Sequence, residues 1–196
     1  NPLTNLVNLT TLYLHGNQIS EVSLLANLTS LIFLGLGSNQ LTDEDLRIMS
    51  NLTSLVRLEL YNNKLNEVSP LANLTKLTDL RLQKNQITDI TSLIENTGIS
   101  GKINLKENQL SNTSFTTHIP ELKARGITVE HDETPSDIIT FKDTNLEKAI
   151  REALGIPTKL LKKEDLEKLE ELVVDGGTPW EKDKLLKEED QIKDLT

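Results

Sequence analysis

The 196-residue sequence contains no cysteine, and only 3% of its residues are aromatic. Without thiols there is neither a disulfide scaffold nor a thiolate metal site, while the compartment stays open, because many exported bacterial proteins also lack cysteine. With so few rings the core has to be built from leucine and isoleucine. No apolar run is long enough to span a bilayer and no signal-peptide pattern is present, so nothing in this sequence inserts into a membrane. A basic excess is missing too. Thirty acidic against 21 basic residues give a net charge of −9, and such a chain repels phosphate backbones, which excludes nucleic acid as a partner class. The imbalance is uneven: residues 133–196 carry 17 acids and 11 bases, residues 1–132 carry 13 and 10. The Lys/Glu alternation after Lys159 reads as a solvated helix surface.

Groups for chemistry are equally sparse. His15, His118 and His131 fall in separate elements with no ligand-spaced partners. LGLGSN (34–39) has the outline of a phosphate loop, but it lies inside a strand-like run with no helix after it, so Gly35 and Gly37 are read as leaving space on an exposed strand face. Asp43–Asp45 and Glu188–Glu189 read as capping or solubility groups, and the spacing of a calcium-binding loop is absent. The expectation is a non-enzyme with no cofactor and no metal.

What is present is a repeat. LTTLYLHGNQI (9–19) returns as LIFLGLGSNQL (31–41), LVRLELYNNKL (55–65) and LTDLRLQKNQI (77–87), with a weaker KINLKENQL ending at Leu110. Asn17, Asn39, Asn63, Asn85 and Asn108 recur at steps of 22, 24, 22 and 23 residues. Leu12 and Leu14, with Leu34 and Leu36, Leu58 and Leu60, and Leu80 and Leu82, alternate along short strands and point inward. One repeat cannot bury that face alone, so neighbours stack into a parallel sheet over a continuous core. The asparagines are expected to turn inward onto backbone groups, since buried amides have to be satisfied. LANLTSL, MSNLTSL and LANLTKL form the return side, where TDEDLRIMS inserts a helical turn. The Asn-Leu-Thr tripeptides at Asn8, Asn27, Asn51 and Asn73 match a glycosylation acceptor, but they recur with the repeat and are read as part of it. After Leu110 a helix from Thr116 or Thr117 to Ala124, closed by Gly126, and a last strand at Ile127 and Val129 suggest a terminal cap.

The unit L-x-x-L-x-L-x-x-N-x-L is the leucine-rich repeat signature. With the returns NQISEVSLL and NQITDITSL, residues 1–132 resemble the internalin-type leucine-rich repeats of bacterial surface proteins. Residues 138–175 resemble the helical N-terminal cap and first strand of such domains. The resemblance implies an α/β solenoid, with a parallel sheet on the concave face and short helices or irregular returns behind it, plus a small helical cap module. It also implies protein recognition at a bacterial surface or after secretion, without catalysis. The expected division is repeats at 1–110, their C-terminal cap at 111–132, a linker at 133–137, and the cap and first strand of a next unit at 138–196. GGTPWEKDKLLKEED (176–190) departs from the family pattern and reads as a helical insertion.

That order is unusual, because FKDTNLEKAIREALGIP (141–157) opens a structure late in the chain. Thr144 and Glu147 have capping-box spacing, Leu146, Ala149, Ile150, Ala153 and Leu154 share one helical face, and Gly155 with Pro157 ends it. Written end to start, QIKDLT-NPLTNLVNL is a near copy of QISEVS-LLANLTSL with one extra residue. The sequence therefore reads as one period of something cyclic. Three arrangements follow: the chain capping its own first repeat, a tandem array, or the cap of one chain docking on the next, which propagates into a filament. Five strand spacings of ~4.8 Å against a linker reaching at most about 25 Å make self-capping strained, and the tandem origin is preferred. In the last two cases Leu3, Leu6, Leu9, Leu12 and Leu14 form an assembly edge that meets Leu172, Val174, Ile192 and Leu195 of another copy.

A ligand face is expected where residues flank the inward leucines. Tyr13, His15, Phe33, Arg57, Glu59, Tyr61, Asp79, Arg81 and Gln83 are the candidate ligand-binding residues. Tyr13, Phe33, Tyr61, Arg57 and Arg81 are candidate hot spots, because aromatics and arginine dominate interface energetics. The competing reading is that strand surfaces favour aromatics in any case.

Overall fold

The computed structural model describes residues 6–135, 138–139, 141, 144–156 and 160–169. Two compact units divide it at Glu133–Thr134. In the first, six three-residue strands form one parallel sheet in chain order: β1 (Thr11–Tyr13), β2 (Phe33–Gly35), β3 (Arg57–Glu59), β4 (Asp79–Arg81), β5 (Lys102–Asn104) and β6 (Thr128–Glu130). Register follows the repeat without a slip, so Leu12, Leu34, Leu58, Leu80, Ile103 and Val129 lie side by side. Behind them Leu28, Leu31, Leu36, Leu52, Leu55, Leu60, Leu74, Leu77 and Leu82 complete a continuous buried core.

The return side varies with the inserted residues. Short 3₁₀ turns at Ser23–Leu25 and Ser69–Asn73 serve two repeats, while α1 (Asp43–Met49) and α2 (Thr91–Glu95) serve the others. Asp45 starts α1 by accepting the Thr42 N–H at 2.9 Å. Its neighbour Asp43 accepts the N–H groups of Asn66 and Glu67 in the next repeat, so this carboxylate pair caps and ties rather than coordinates. The helix of the terminal cap starts earlier than expected: a π-helical turn at Ser114–His118 precedes α3 (Ile119–Ala124), and the final strand begins at Thr128. Ser114, fully buried, donates its hydroxyl to the Thr88 carbonyl, which fixes this earlier entry.

Before each ladder asparagine the backbone turns left-handed, at Gly16, Ser38, Asn62, Lys84 and Glu107. Four of these five are not glycine, and each such residue costs about 1–2 kcal/mol of local strain. The asparagines offset it. Asn39 accepts the N–H groups of Asn17 and Ile19 and donates to the carbonyls of Leu14 and Leu36. Asn63 accepts from Leu41 and donates to Leu36 and Leu60; Asn85 and Asn108 repeat the pattern. Each asparagine thus completes the turn of the repeat before it. After Asn108 the ladder ends in Asp132, which accepts the Glu107 N–H at 2.6 Å.

The second unit contains α4 (Thr144–Leu154) and α5 (Lys163–Leu166), packed on a separate core of Ile139, Leu146, Ile150, Leu161, Leu166 and Leu169. Arg151 grips Glu147 one turn earlier at 2.8 Å. The Thr144 capping side chain, the 176–190 insertion, Leu3, Leu172, Val174, Ile192 and Leu195 lie outside what is described.

Candidate functional site

The strand residues that flank the core leucines form three rows across the sheet. One runs Thr11, Phe33, Arg57, Asp79, Lys102, and the next Tyr13, Gly35, Glu59, Arg81, Asn104. His15, Gly37, Tyr61, Gln83 and Lys106 continue beyond them by the same spacing. Within this face the candidates fall into two connected groups.

At the N-terminal side the rings are contiguous. Tyr13 packs on Phe33 with centroids 4.4 Å apart, and the Arg57 guanidinium lies 5.3 Å over the Phe33 ring. Tyr13 sits 6.2 Å from His15, and His15 stacks on Tyr61 at 5.7 Å. Gly35 and Gly37 make this possible. A Cβ on Gly35 would overlap the His15 ring, and one on Gly37 would overlap Tyr61. The space that the sequence suggested at these glycines is therefore occupied, and both glycines are buried. Phe33 likewise has a packing role, half-buried between Tyr13 and Arg57. Tyr13 remains 67% exposed.

The second group centres on Glu59, only 5% exposed although it stands on the open face. His15 Nε2 approaches one carboxylate oxygen at 3.1 Å, while Arg57 and Arg81 (Nη1, 3.3 Å) meet the other. Asp79 binds both arginines, at 3.1 Å from Arg57 Nε and 3.3 Å from Arg81 Nε. The Gly37 N–H donates to His15 Nδ1, which leaves Nε2 to carry the proton toward Glu59. The hydrogen bond to Glu59 raises the Arg57 pKa above its ordinary value, partly opposed by desolvation. The sequence treated these charges as separate contact residues; pairing each strand with its neighbour one repeat away was the signal that would have shown the network. Farther along, Lys102 meets Glu130 at 2.8 Å and holds its carboxyl below the usual range. Gln83 is half-buried, and its Oε1 is shielded from solvent without a hydrogen-bond partner.

The site offers shape, rings and fixed charges. Among the described residues no group of three or more His, Cys, Asp or Glu is placed to hold a metal ion, and no helix is long and apolar enough to cross a membrane.

The described residues expected at an assembly edge lie in the first repeat. Leu6 is 44% exposed, and Leu9, Leu12 and Leu14 are half-buried, whereas Leu31, Leu34 and Leu36 one repeat on are fully covered.

Comparison with known proteins agrees with this architecture. Residues 7–48 and 53–95 match the family model described as Leucine Rich repeats (2 copies). Internalin C2 of Listeria monocytogenes is 34% identical with a TM-score of 0.59, over 66% of this chain and 54% of that one. Internalin F of the same species is 29% identical with a TM-score of 0.53, over 67% of this chain and 45% of that one. A leucine-rich repeat protein of Leptospira interrogans is 25% identical with a TM-score of 0.58, over 68% of this chain and 33% of that one. The chain thus spans about half the length of the internalin chains it matches. Comparison with curated proteins finds no match. The internalin-like fold is that of a non-catalytic family. The chain is a leucine-rich repeat protein, built like the internalins of Listeria.

Proposed function

We propose that this chain is a non-catalytic protein-recognition module of a bacterial surface or secreted protein, one period of a tandem array, that grips its partner with the concave face. The observation that carries the reading is Tyr13, held by Phe33 at 4.4 Å and yet 67% exposed. A ring that is ordered before binding loses little side-chain entropy when a partner covers it. Four rings on three neighbouring repeats, beside an arginine fixed by a buried carboxylate, have the composition of an interface hot spot. A general strand preference for aromatics would scatter rings over the sheet rather than join them. The similarity to internalins supports the surface location, and the second unit, which follows the repeats with a core of its own, supports the array.

The test is a panel of purified extracellular protein domains screened against the immobilised chain and its Tyr13→Ala, Phe33→Ala and Tyr61→Ala variants. A concave-face ligand should lose at least about tenfold in affinity with each change, in keeping with hot-spot truncations above ~1.4 kcal/mol. Ligands that bind all three variants like the parent would remove the concave face as the site.

A further inference from the structure

The contacts that hold His15 depend on how many protons its ring carries. Nδ1 accepts the Gly37 N–H at 3.1 Å, and Nε2 meets Glu59 Oε2 at 3.1 Å. The first bond needs a lone pair on Nδ1 and the second a hydrogen on Nε2, so together they select the neutral ring in one tautomer. An imidazolium is a donor at both nitrogens. Its Nδ1–H would face the Gly37 N–H, donor against donor, and turning the ring over only brings the other N–H to the same place. Among the described residues the Gly37 amide has no second acceptor. This amide opens onto the concave face, and in the fifth repeat a side chain again takes its counterpart: Lys106 N–H donates to Asn104 Oδ1 at 3.0 Å.

Nearby charge offers little in return. The titratable and charged groups around the ring are Tyr13 of its own strand, Arg57, Glu59 and Tyr61 of the third repeat, and Asp79 and Arg81 of the fourth. Glu59 attracts an imidazolium, but Arg57 and Arg81 already meet its other oxygen. The two arginines and two carboxylates cancel, so a charged His15 gives the cluster a net positive charge. Space is short as well. The ring lies directly on Gly35, where a Cβ would overlap it, and Tyr61 stacks on the ring at 5.7 Å while covering Gly37. An imidazolium that gives up Gly37 has to tilt outward, and Tyr61 then loses the ring it stacks on.

We infer that His15 is a positioning residue and a pH-sensitive lock of the concave face: its neutral imidazole holds Tyr61 in the arrangement a partner meets, and protonation releases it. The inference rests on the concave face being the recognition surface, although the lock itself is visible without a ligand. The partner it suits is a protein held at neutral pH and let go in a mildly acid medium, since histidine changes charge between about pH 5 and 8.

NMR of the full chain over the histidine range, about pH 8 to 5, tests the lock. In the parent the His15 ring carbons, the Gly37 amide proton and the Tyr61 ring protons should move together with one midpoint. The Gly37 proton should shift upfield as it loses its acceptor. His15→Gln is the control, because its amide donates to Glu59 and does not titrate; its Gly37 and Tyr61 signals should show no step. Gly37 or Tyr61 signals that stay fixed while His15 titrates, a His15 that does not titrate in this range, or a step that persists in His15→Gln would each overturn the proposal. The parent titration decides alone if the variant fails to fold. A protein captured by the concave face should bind up to about tenfold more weakly one pH unit below the His15 midpoint, where about a tenth of the chains keep the neutral ring. His15→Gln should abolish that difference, and equal weakening in both would overturn the regulation. Capture of no protein at all would count against the recognition reading and leave the NMR result to decide the lock.

Discussion

Asn63→Ala is the sharpest test of the asparagine ladder. The side chain is buried and holds three strong bonds: it accepts from Leu41 N–H at 3.0 Å and donates to Leu36 at 3.1 Å and Leu60 at 3.0 Å. The carbonyls do not become orphans, because Asn39 still donates to Leu36 and Asn85 still donates to Leu60. Among the described residues the Leu41 N–H has no other partner. One buried donor left unsatisfied costs about 1–3 kcal/mol, and two weakened acceptors add ~0.5 kcal/mol each, so the expected loss is about 2–4 kcal/mol. Asn17→Ala is the matched control. Its residue is exposed and its side chain holds a single bond, to His15, so it should cost less than about 1 kcal/mol. Urea denaturation followed by far-ultraviolet circular dichroism gives both values. Hydrogen exchange localises the effect, since the Leu41 amide should lose protection in Asn63→Ala alone. Equal costs for the two variants, or an unchanged Leu41 amide, would refute the assignment of stability to the ladder.

Two further outcomes follow from the concave face. Gly37→Ala needs no unusual backbone, so its Cβ should push the Tyr61 ring aside rather than unfold the repeat; the expected result is a weaker near-ultraviolet tyrosine signal at a stability cost of about 1–3 kcal/mol. For Glu130 the folded-state carboxyl is depressed, chiefly by its Lys102 hydrogen bond. Its contribution to stability is therefore present above the ordinary carboxylate pKa and fades as pH falls through the lower folded value. Lys102→Met should move the Glu130 titration upward toward the ordinary range when followed by carboxyl carbon NMR, and an unmoved titration would contradict that cause.

The architecture was open to reading because its information is periodic. A leucine at 12, 34, 58 and 80 specifies both a strand and its neighbour, so register came with the spacing. The ladder was legible for the same reason, as a polar residue recurring inside an apolar pattern has to meet backbone. The face was harder. Its candidate residues were nameable from the alternation, but their roles depend on contacts between strands 22 to 24 residues apart in sequence. Glu59 looked like a surface charge until Arg57, Arg81 and His15 were seen to converge on it. Gly35 and Gly37 looked like empty space, because nothing local shows that His15 and Tyr61 fold over them. The start of the cap's helix was missed, because it is fixed by the Ser114 hydroxyl bond to Thr88, which spans 26 residues.

The ladder also has a direction, and that matters while the chain is being made. Asn39 closes the turn at Asn17 and Ile19, Asn63 closes the one at Leu41, Asn85 the one at Leu65, and Asn108 the one at Ile87. On a ribosome, which releases the N-terminal end first, each left-handed turn must wait for another 22 to 24 residues before its amides are satisfied. The nascent solenoid therefore trails synthesis by one repeat throughout. Only the arrival of Asp132 opposite Glu107 brings that lag to an end.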